Sequence, residues 1–249
     1  MININELNKV YNRDIIEFLK ELPDKSIDMI WADPDYNVGI DYNGVKYTMT
    51  SDDYNRWYGE LATECYRVLK DDGNAFFINY SKQNSYLLVN YTDKLFFEVN
   101  DYVWIYNTMM GVPKRKFTKA HRSILHCVKS DNNKFFKDEV AIPYKNLKDK
   151  RIIQRMENGS KGAMPYSWFY FDLVKNVSKD KVDHACQLPL NMVEMFIKAT
   201  TKENDICFIL FGGSGKEIEL CKNLNRNFLS CELHPYYYKN ILNLLNLKE

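Results

Sequence analysis

Three features of the sequence predict an α/β fold: a Rossmann-like, mostly parallel sheet with helices on both faces. First, helical and strand periodicities alternate through residues 1–130, the pattern of a parallel or mixed sheet with helices packed on it. Second, Ile27 to Ala32 is an apolar run too short for a solitary helix, and it ends in Asp33-Pro34. That combination reads as a buried strand with a carboxylate at its exit. Third, residues 205–211 are strongly apolar and run into Gly212-Gly213-Ser214-Gly215, then a helical pattern, then a strand closing on Glu232. Strand, glycine turn, helix, strand and terminal acid make one nucleotide-type βαβ unit.

In order along the chain, Ile15, Phe18, Leu19 and Leu22 have helical spacing, and Pro23-Asp24-Lys25 ends that helix. After the strand at Ile27 and a Tyr-rich loop, Ser51-Asp52-Asp53 reads as a helix cap. Tyr54, Trp57, Leu61, Cys65, Val68 and Leu69 then form one apolar face, stopped by Asp72-Gly73. Residues 75–79 predict a short strand and 83–91 a helix, while 95–99 and 102–106 are rich in β-formers and predict two further strands. Gly111 and Pro113 mark a loop, followed by a strand over 123–128. Periodicity fades over residues 131–165, which predicts a small inserted lobe or mobile loop. Pro189 restarts a helix from its first turn.

At 249 residues the chain predicts a single domain with a small insertion, long enough for a substantial core. No apolar run approaches the roughly 18 residues of a membrane span, and Met-Ile-Asn-Ile-Asn-Glu-Leu lacks the basic and apolar regions of a secretory signal. The six cysteines are scattered, without Cys-x-x-Cys or paired-histidine spacing. They predict buried thiols in a reduced, cytoplasmic protein and no metal site. Net charge is only +1, so any affinity for nucleic acid must come from local clustering.

Such a cluster exists. Between Tyr102 and Ser130 there is no acidic residue, yet Lys114, Arg115, Lys116, Lys119, Arg122 and Lys129 are present, mixed with Phe117 and His121. A basic loop beside a crevice can track phosphates, although charges in a solvated loop can also simply balance acidic helices. Asp33, Pro34 and Tyr36 offer a carboxylate acceptor, a carbonyl held by a proline ring and an aromatic face. Two acceptors can hold an exocyclic amino group while the ring stacks a flat base; an ordinary strand-to-turn exit is the bland alternative. Downstream, glycines let backbone approach a ligand, and Glu232 follows at the spacing of an acid that accepts from ribose hydroxyls. A phosphate-binding Walker loop would need glycine at Leu210 and Ser or Thr at Glu217, and the dinucleotide fingerprint needs a third glycine at Ile218. Both fail, which leaves a ribose-binding loop better suited to S-adenosylmethionine than to NAD.

Together these pieces resemble the amino-methylating DNA methyltransferases of the permuted β group, whose Asp-Pro-Pro-Tyr motif precedes a target-recognition region and then a Phe-x-Gly-x-Gly loop. Asp33-Pro34-Asp35-Tyr36 stands in the first place and Phe211-Gly212-Gly213-Ser214-Gly215 in the last. Asp14 lies at the family's acidic cofactor position, and His184-Ala185-Cys186-Gln187-Leu188-Pro189 is similar to a His-Pro-Thr-Gln-Lys-Pro segment. The resemblance implies a class I methyltransferase fold in permuted order, with a catalytic half over 1–130, target recognition over 131–165 and a cofactor half over 184–249. It implies Asp33, Pro34 and Tyr36 as catalytic residues, and Asp14, Asp33, Gln187, Pro189, Phe211, Gly213, Ser214, Gly215 and Glu232 as residues that hold S-adenosylmethionine. Double-stranded DNA is the implied partner, along Lys114, Arg115, Lys116, Lys119 and Arg122, without a metal. Because about 35 residues are few for a complete DNA reader, a homodimer or a partner subunit is a further expectation.

An aspartate at the motif's head is usual in adenine-modifying members, so adenine is favoured over the cytosine 4-amino group or an RNA base. Four departures from the family stand out. Asp35 replaces a second proline and is expected to loosen the turn; Ile209-Leu210 replace an Asp-Pro; Leu188 replaces lysine; and Ala185 replaces proline. A catalytically weak DNA-binding subunit is the alternative from another class.

Overall fold

In the computed structural model, residues 6–107, 113–174, 184 and 186–248 are described. Gly111 and Ala185 lie outside them. Strand β1 (Lys9–Tyr11) leads into helix α1 (Ile15–Glu21), then β2 (Ile27–Ala32), α2 (Ser51–Val68) and β3 (Leu69–Asn79). Helix α3 (Ser81–Leu87) continues through a π-turn, Leu88–Thr92, and the short α4 (Asp93–Leu95) into β4 (Glu98–Ile105) and β5 (His121–Val128). Helix α5 (Lys150–Glu157), β6 (Trp168–Tyr170), α6 (Leu190–Thr200), β7 (Ile206–Ile209), α7 (Lys216–Asn223), β8 (Asn227–Cys231) and α8 (Pro235–Leu245) follow.

The strands form one sheet in the order β1-β8-β7-β2-β3-β5-β4-β6. Among the described residues, only the pairings of β5 with β3 and β4 are antiparallel, so the expected mostly parallel sheet is present. Side chains of the central strand alternate between faces. Ile30 and Ala32 join α1 and α2 in one apolar cluster, while Met29 and Trp31 join α6, α7 and α8 in the other. All six residues of β2 are buried, as expected for a strand covered on both sides. From β2 the chain crosses through α2 to β3, whereas β7 connects the other way through α7 to β8. The sheet therefore switches direction between β2 and β7, and a crevice opens outside their carboxyl ends.

Several boundaries differ from expectation for identifiable reasons. The α2 cap is Thr50, whose Oγ1 accepts from the Asp53 amide (3.1 Å) and donates to the Asp53 carboxylate (2.7 Å). That reciprocal pair fixes the start one residue earlier. The helix stops at Val68, and Leu69 already pairs with Ile27 before the register jumps to Met29 opposite Asn74. The bulge passes through Gly73, where a Cβ would stand 2.9 Å from the Asp28 carbonyl oxygen, so the close approach of backbone requires glycine. Residues 95–99 and 102–106 are not two strands: Leu95 ends α4, and one strand runs from Glu98 to Ile105 opposite β5.

Residues 131–165 leave the sheet from the end of β5, at the amino ends of β2 and β7 and opposite the crevice. There Lys134 pairs with the buried Asp28 (2.7 Å) and with Asp205 (3.0 Å), tying the segment's root to the starts of β2 and β7. The segment then makes a one-residue bridge, Ile142 with Ala163, and the solvent-exposed α5, capped by Asp149. It returns as β6 on the outer edge of β4. Lys129 also points away from the crevice end: its ammonium donates to the carbonyls of Tyr66 and Leu69, both at 2.9 Å. No helix among the described residues is long and apolar enough to cross a membrane.

Candidate active site

The crevice at the carboxyl ends of β2 and β7 has a volume of about 350 Å³ and is lined from distant parts of the sequence that folding brings together. The β2 exit contributes Asp33, Pro34, Asp35 and Tyr36. The β7 exit contributes Phe211, Gly212, Gly213, Ser214 and Glu217. Asp14, Gln187 and Glu232 close it from the sides. Of the expected cofactor residues, Pro189 and Gly215 stand one layer back. Pro189 is the residue before α6, and Gly215 caps α7 in the left-handed region (φ 74°).

Asp33 emerges where β2 ends, and the Tyr36 hydroxyl donates to its Oδ1. Burial pushes the Asp33 carboxyl up to about 7; the nearby Glu217 and Asp35 charges add to the rise, while the Tyr36 hydrogen bond and Arg122 oppose it. The carboxylate keeps one open side toward the crevice, so it is desolvated by the walls yet reachable by a ligand. Asp35 does not loosen the turn as expected. Its Oδ1 accepts from the Asn37 amide (2.7 Å), supporting Asn37 at φ 57°, and its carbonyl accepts from the Tyr54 hydroxyl (2.7 Å), which Asn79 in turn holds at 2.8 Å. Hydrogen bonds supply the rigidity that a second proline ring would have given.

The basic cluster divides. Lys114, Arg115, Lys116 and Lys119 are exposed on the segment before β5. Arg122 is not part of an exposed track: it is 6 % exposed and sits inside the crevice wall. Its guanidinium lies 4.0 Å from the Tyr80 ring centroid, 5.3 Å from that of Tyr106 and 5.4 Å from that of Tyr36, and donates to the hydroxyls of Tyr106 and Tyr80. Tyr80 meets Tyr36 edge-on at 5.3 Å. A cation held by three rings orients the Tyr36 face that the sequence singled out. Neither Tyr80 nor Tyr106 was legible as a site residue, although each stands just past a strand end.

The glycine loop is held by backbone bonds. Gly212 N–H donates to Cys231 O (2.7 Å), and Gly213 N–H donates to Glu232 Oε2 (2.8 Å) while His234 N–H donates to Oε1 (2.8 Å). Each carboxylate oxygen keeps a lone pair for hydroxyl donors. Asp14 Oδ1 accepts from the amides of Ile16 (2.9 Å) and Glu17 (3.1 Å), so it caps α1 as well as lining the crevice. Ile209 and Leu210 are buried there as an apolar wall. Glu217, met in the sequence only as a failed Walker position, is a buried acid bonded to Ser214 Oγ (3.0 Å).

The lining carries the acids Asp14, Asp33, Asp35, Glu217 and Glu232 against two arginines, Arg13 and Arg122, and Arg13 is already paired with Glu21. Such a negative crevice suits a cationic nucleoside and repels a pyrophosphate. A switch-point sheet whose crevice joins Glu232 and the glycine loop to the Asp33 carboxylate at the neighbouring strand's end defines an α/β protein of the nucleotide-binding type. The chain belongs to the DNA methylase family, whose model matches residues 27–243. It is 30% identical over 246 residues to the type II methyltransferase M.BglII of Bacillus subtilis, covering 93% of this chain and 67% of that protein. It is 27% identical to the DNA adenine methyltransferase YhdJ of Escherichia coli K12, covering 94% and 81%. Its fold matches the PvuII DNA methyltransferase, described as cytosine-N4-specific, with a TM-score of 0.73 at 17% identity, over 97% and 86% of the two chains. The family thus stands as the resemblance implied.

Proposed function

We propose that the protein transfers a methyl group from S-adenosylmethionine to the exocyclic amino group of adenine in double-stranded DNA. The observation that carries this reading is the shared crevice. Asp33 and the Pro34 carbonyl stand beside Tyr36 on one side, and the glycine loop with Glu232 on the other. The donor set fits the cofactor: Glu232 accepts from ribose hydroxyls, the glycines admit close backbone approach, and the acid-rich wall accommodates a sulfonium cation. When bound, the cofactor supplies an electrophilic methyl group, so the chain's own task is positioning.

An extruded adenine stacks on Tyr36, whose ring Arg122 and Tyr80 hold in place. Asp33 and the Pro34 carbonyl accept the two amino hydrogens, turning the nitrogen lone pair toward the cofactor side of the crevice. The amine proton then leaves toward the Asp33 carboxylate. The Tyr36 hydroxyl already donates to Asp33 Oδ1, so base entry exchanges that bond for one to the amino group. The motif's leading aspartate and the kinship with an adenine methyltransferase favour adenine. The fold shared with a cytosine-N4 enzyme keeps the cytosine amino group as the second reading.

Incubation with isotope-labelled S-adenosylmethionine and unmodified mixed-sequence DNA, followed by nucleoside mass spectrometry, tests this directly. The expected product is N6-methyladenine, lost by at least about a hundredfold in Asp33→Ala while most of the cofactor binding is kept. N4-methylcytosine would transfer the same geometry to the other base. Equal turnover by Asp33→Ala would sink the mechanism.

A further inference from the structure

Phe117 is 97 % exposed, more than any other large apolar side chain described; Val89 follows at 64 %. Single exposed hydrophobics are common, but this one is placed unusually. It follows Lys114, Arg115 and Lys116 and precedes Lys119, all exposed, within a stretch that has no acidic residue from Tyr102 to Ser130. The segment is rooted at the crevice: Tyr106 N–H donates to Ala120 O (3.0 Å), and the next strand begins with His121 and Arg122, the latter in the crevice wall beside Tyr36. Lys119 Nζ lies 5.0 Å from the Tyr80 ring centroid, so the cationic segment abuts the ring that backs Tyr36.

We infer that Phe117 is the wedge that enters the base stack and occupies the space left when the target base swings into the crevice. The inference rests on the DNA reading above and adds the element that opens the duplex. Its chemistry follows from the surroundings. Four cations seat the segment against phosphates whatever the sequence. A flat apolar ring exposed on nearly its whole surface stacks well on another flat surface, and beside cations that seat on phosphates the base stack of DNA supplies one. Tyr36 receives the extruded base, whereas Phe117 compensates the stack it leaves. The two rings therefore act on opposite sides of the same event.

The test places 2-aminopurine at the target position of the sequence that the wild-type protein methylates, and reads its fluorescence on binding alongside filter-binding affinity. Wild type is expected to raise the fluorescence, while Phe117→Ala loses about tenfold in base opening and keeps cofactor binding unchanged. Phe117→Trp is expected to restore opening, and the emission it adds to that of the four native tryptophans to be quenched by stacking. Placing the target in a mismatch, which lowers the cost of opening, should rescue Phe117→Ala but leave Asp33→Ala inactive. Undiminished fluorescence with Phe117→Ala, or a defect that a mismatch does not rescue, overturns the wedge while leaving the methyl-transfer reading intact. Failure of the wild-type protein to bind or methylate any duplex overturns both.

Discussion

At Asp33 the decisive quantity is a charge held where the protein disfavours it. Burial raises its pKa to about 7, and the neighbouring Glu217 contributes to the rise. Only the ionised carboxylate can take the proton that the amine sheds, and it is the stronger acceptor for the amino hydrogen. Transfer is therefore expected to be low below pH 7 and to rise through that point to a plateau, giving a single-proton acid limb in kcat/KM for DNA. Replacing Glu217 by Gln removes a negative neighbour, so the limb should move to lower pH; a pH–rate profile of the two proteins checks the direction. The raised value also marks a stability cost. The native carboxyl keeps its proton to higher pH than the unfolded one, so its contribution favours the fold at low pH and is lost as pH climbs from about 4 toward 7. Such opposition between function and stability belongs to a site whose charge is meant for a ligand.

Among the elements, the junction of β2, β3, β7 and the root of the 131–165 segment depends on Asp28. It is 1 % exposed, pairs with Lys70 and Lys134 at 2.7 Å each, and accepts the Ile206 amide at 2.9 Å. Burial works against its charge, but the Ile206 amide and the two lysines outweigh it and the pKa is lowered. In contrast to Asp33, this contribution is present at neutral pH and is lost on acidification below the usual aspartate range. Asp28→Ala should destabilise the protein by about 3 kcal/mol, because it strands a buried amide and the partly buried Lys134; urea denaturation measures that loss. A variant as stable as wild type would show that the network is solvated enough to be dispensable.

For the whole molecule, near-zero net charge conceals a division: an acid-rich crevice and, beside it, an exposed cationic segment. The two sites suit ligands of opposite sign, a cationic cofactor within and a polyanion outside. Changing Lys114, Arg115 and Lys116 together to Ala should weaken binding uniformly across DNA sequences. It should also flatten the slope of log affinity against log salt by about 0.9 for each phosphate no longer neutralised. Binding measured at several salt concentrations checks this. An unchanged slope would place the phosphate track elsewhere on the surface.

Much of this was legible in one dimension because it depends on local chemistry. The buried β2 run ending in Asp33-Pro34, the glycine loop with Glu232 in register, and the order of these motifs were readable from residue type and spacing alone. They correctly implied the sheet and the family. Boundaries were not legible, since Thr50 and Gly73 act through partners that only the folded backbone supplies. The role of Arg122 was not legible either: a cation in a basic run looks like its neighbours until strand pairing turns it inward among Tyr36, Tyr80 and Tyr106. Sequence by itself determined which chemical groups the protein carries and the order in which they occur. Tertiary structure decided which of them face one another, how far Asp33 is shielded from water and which ring is left exposed. Burial and electrostatics depend on distances across the sheet, between residues as far apart in the chain as Asp33 and Glu217.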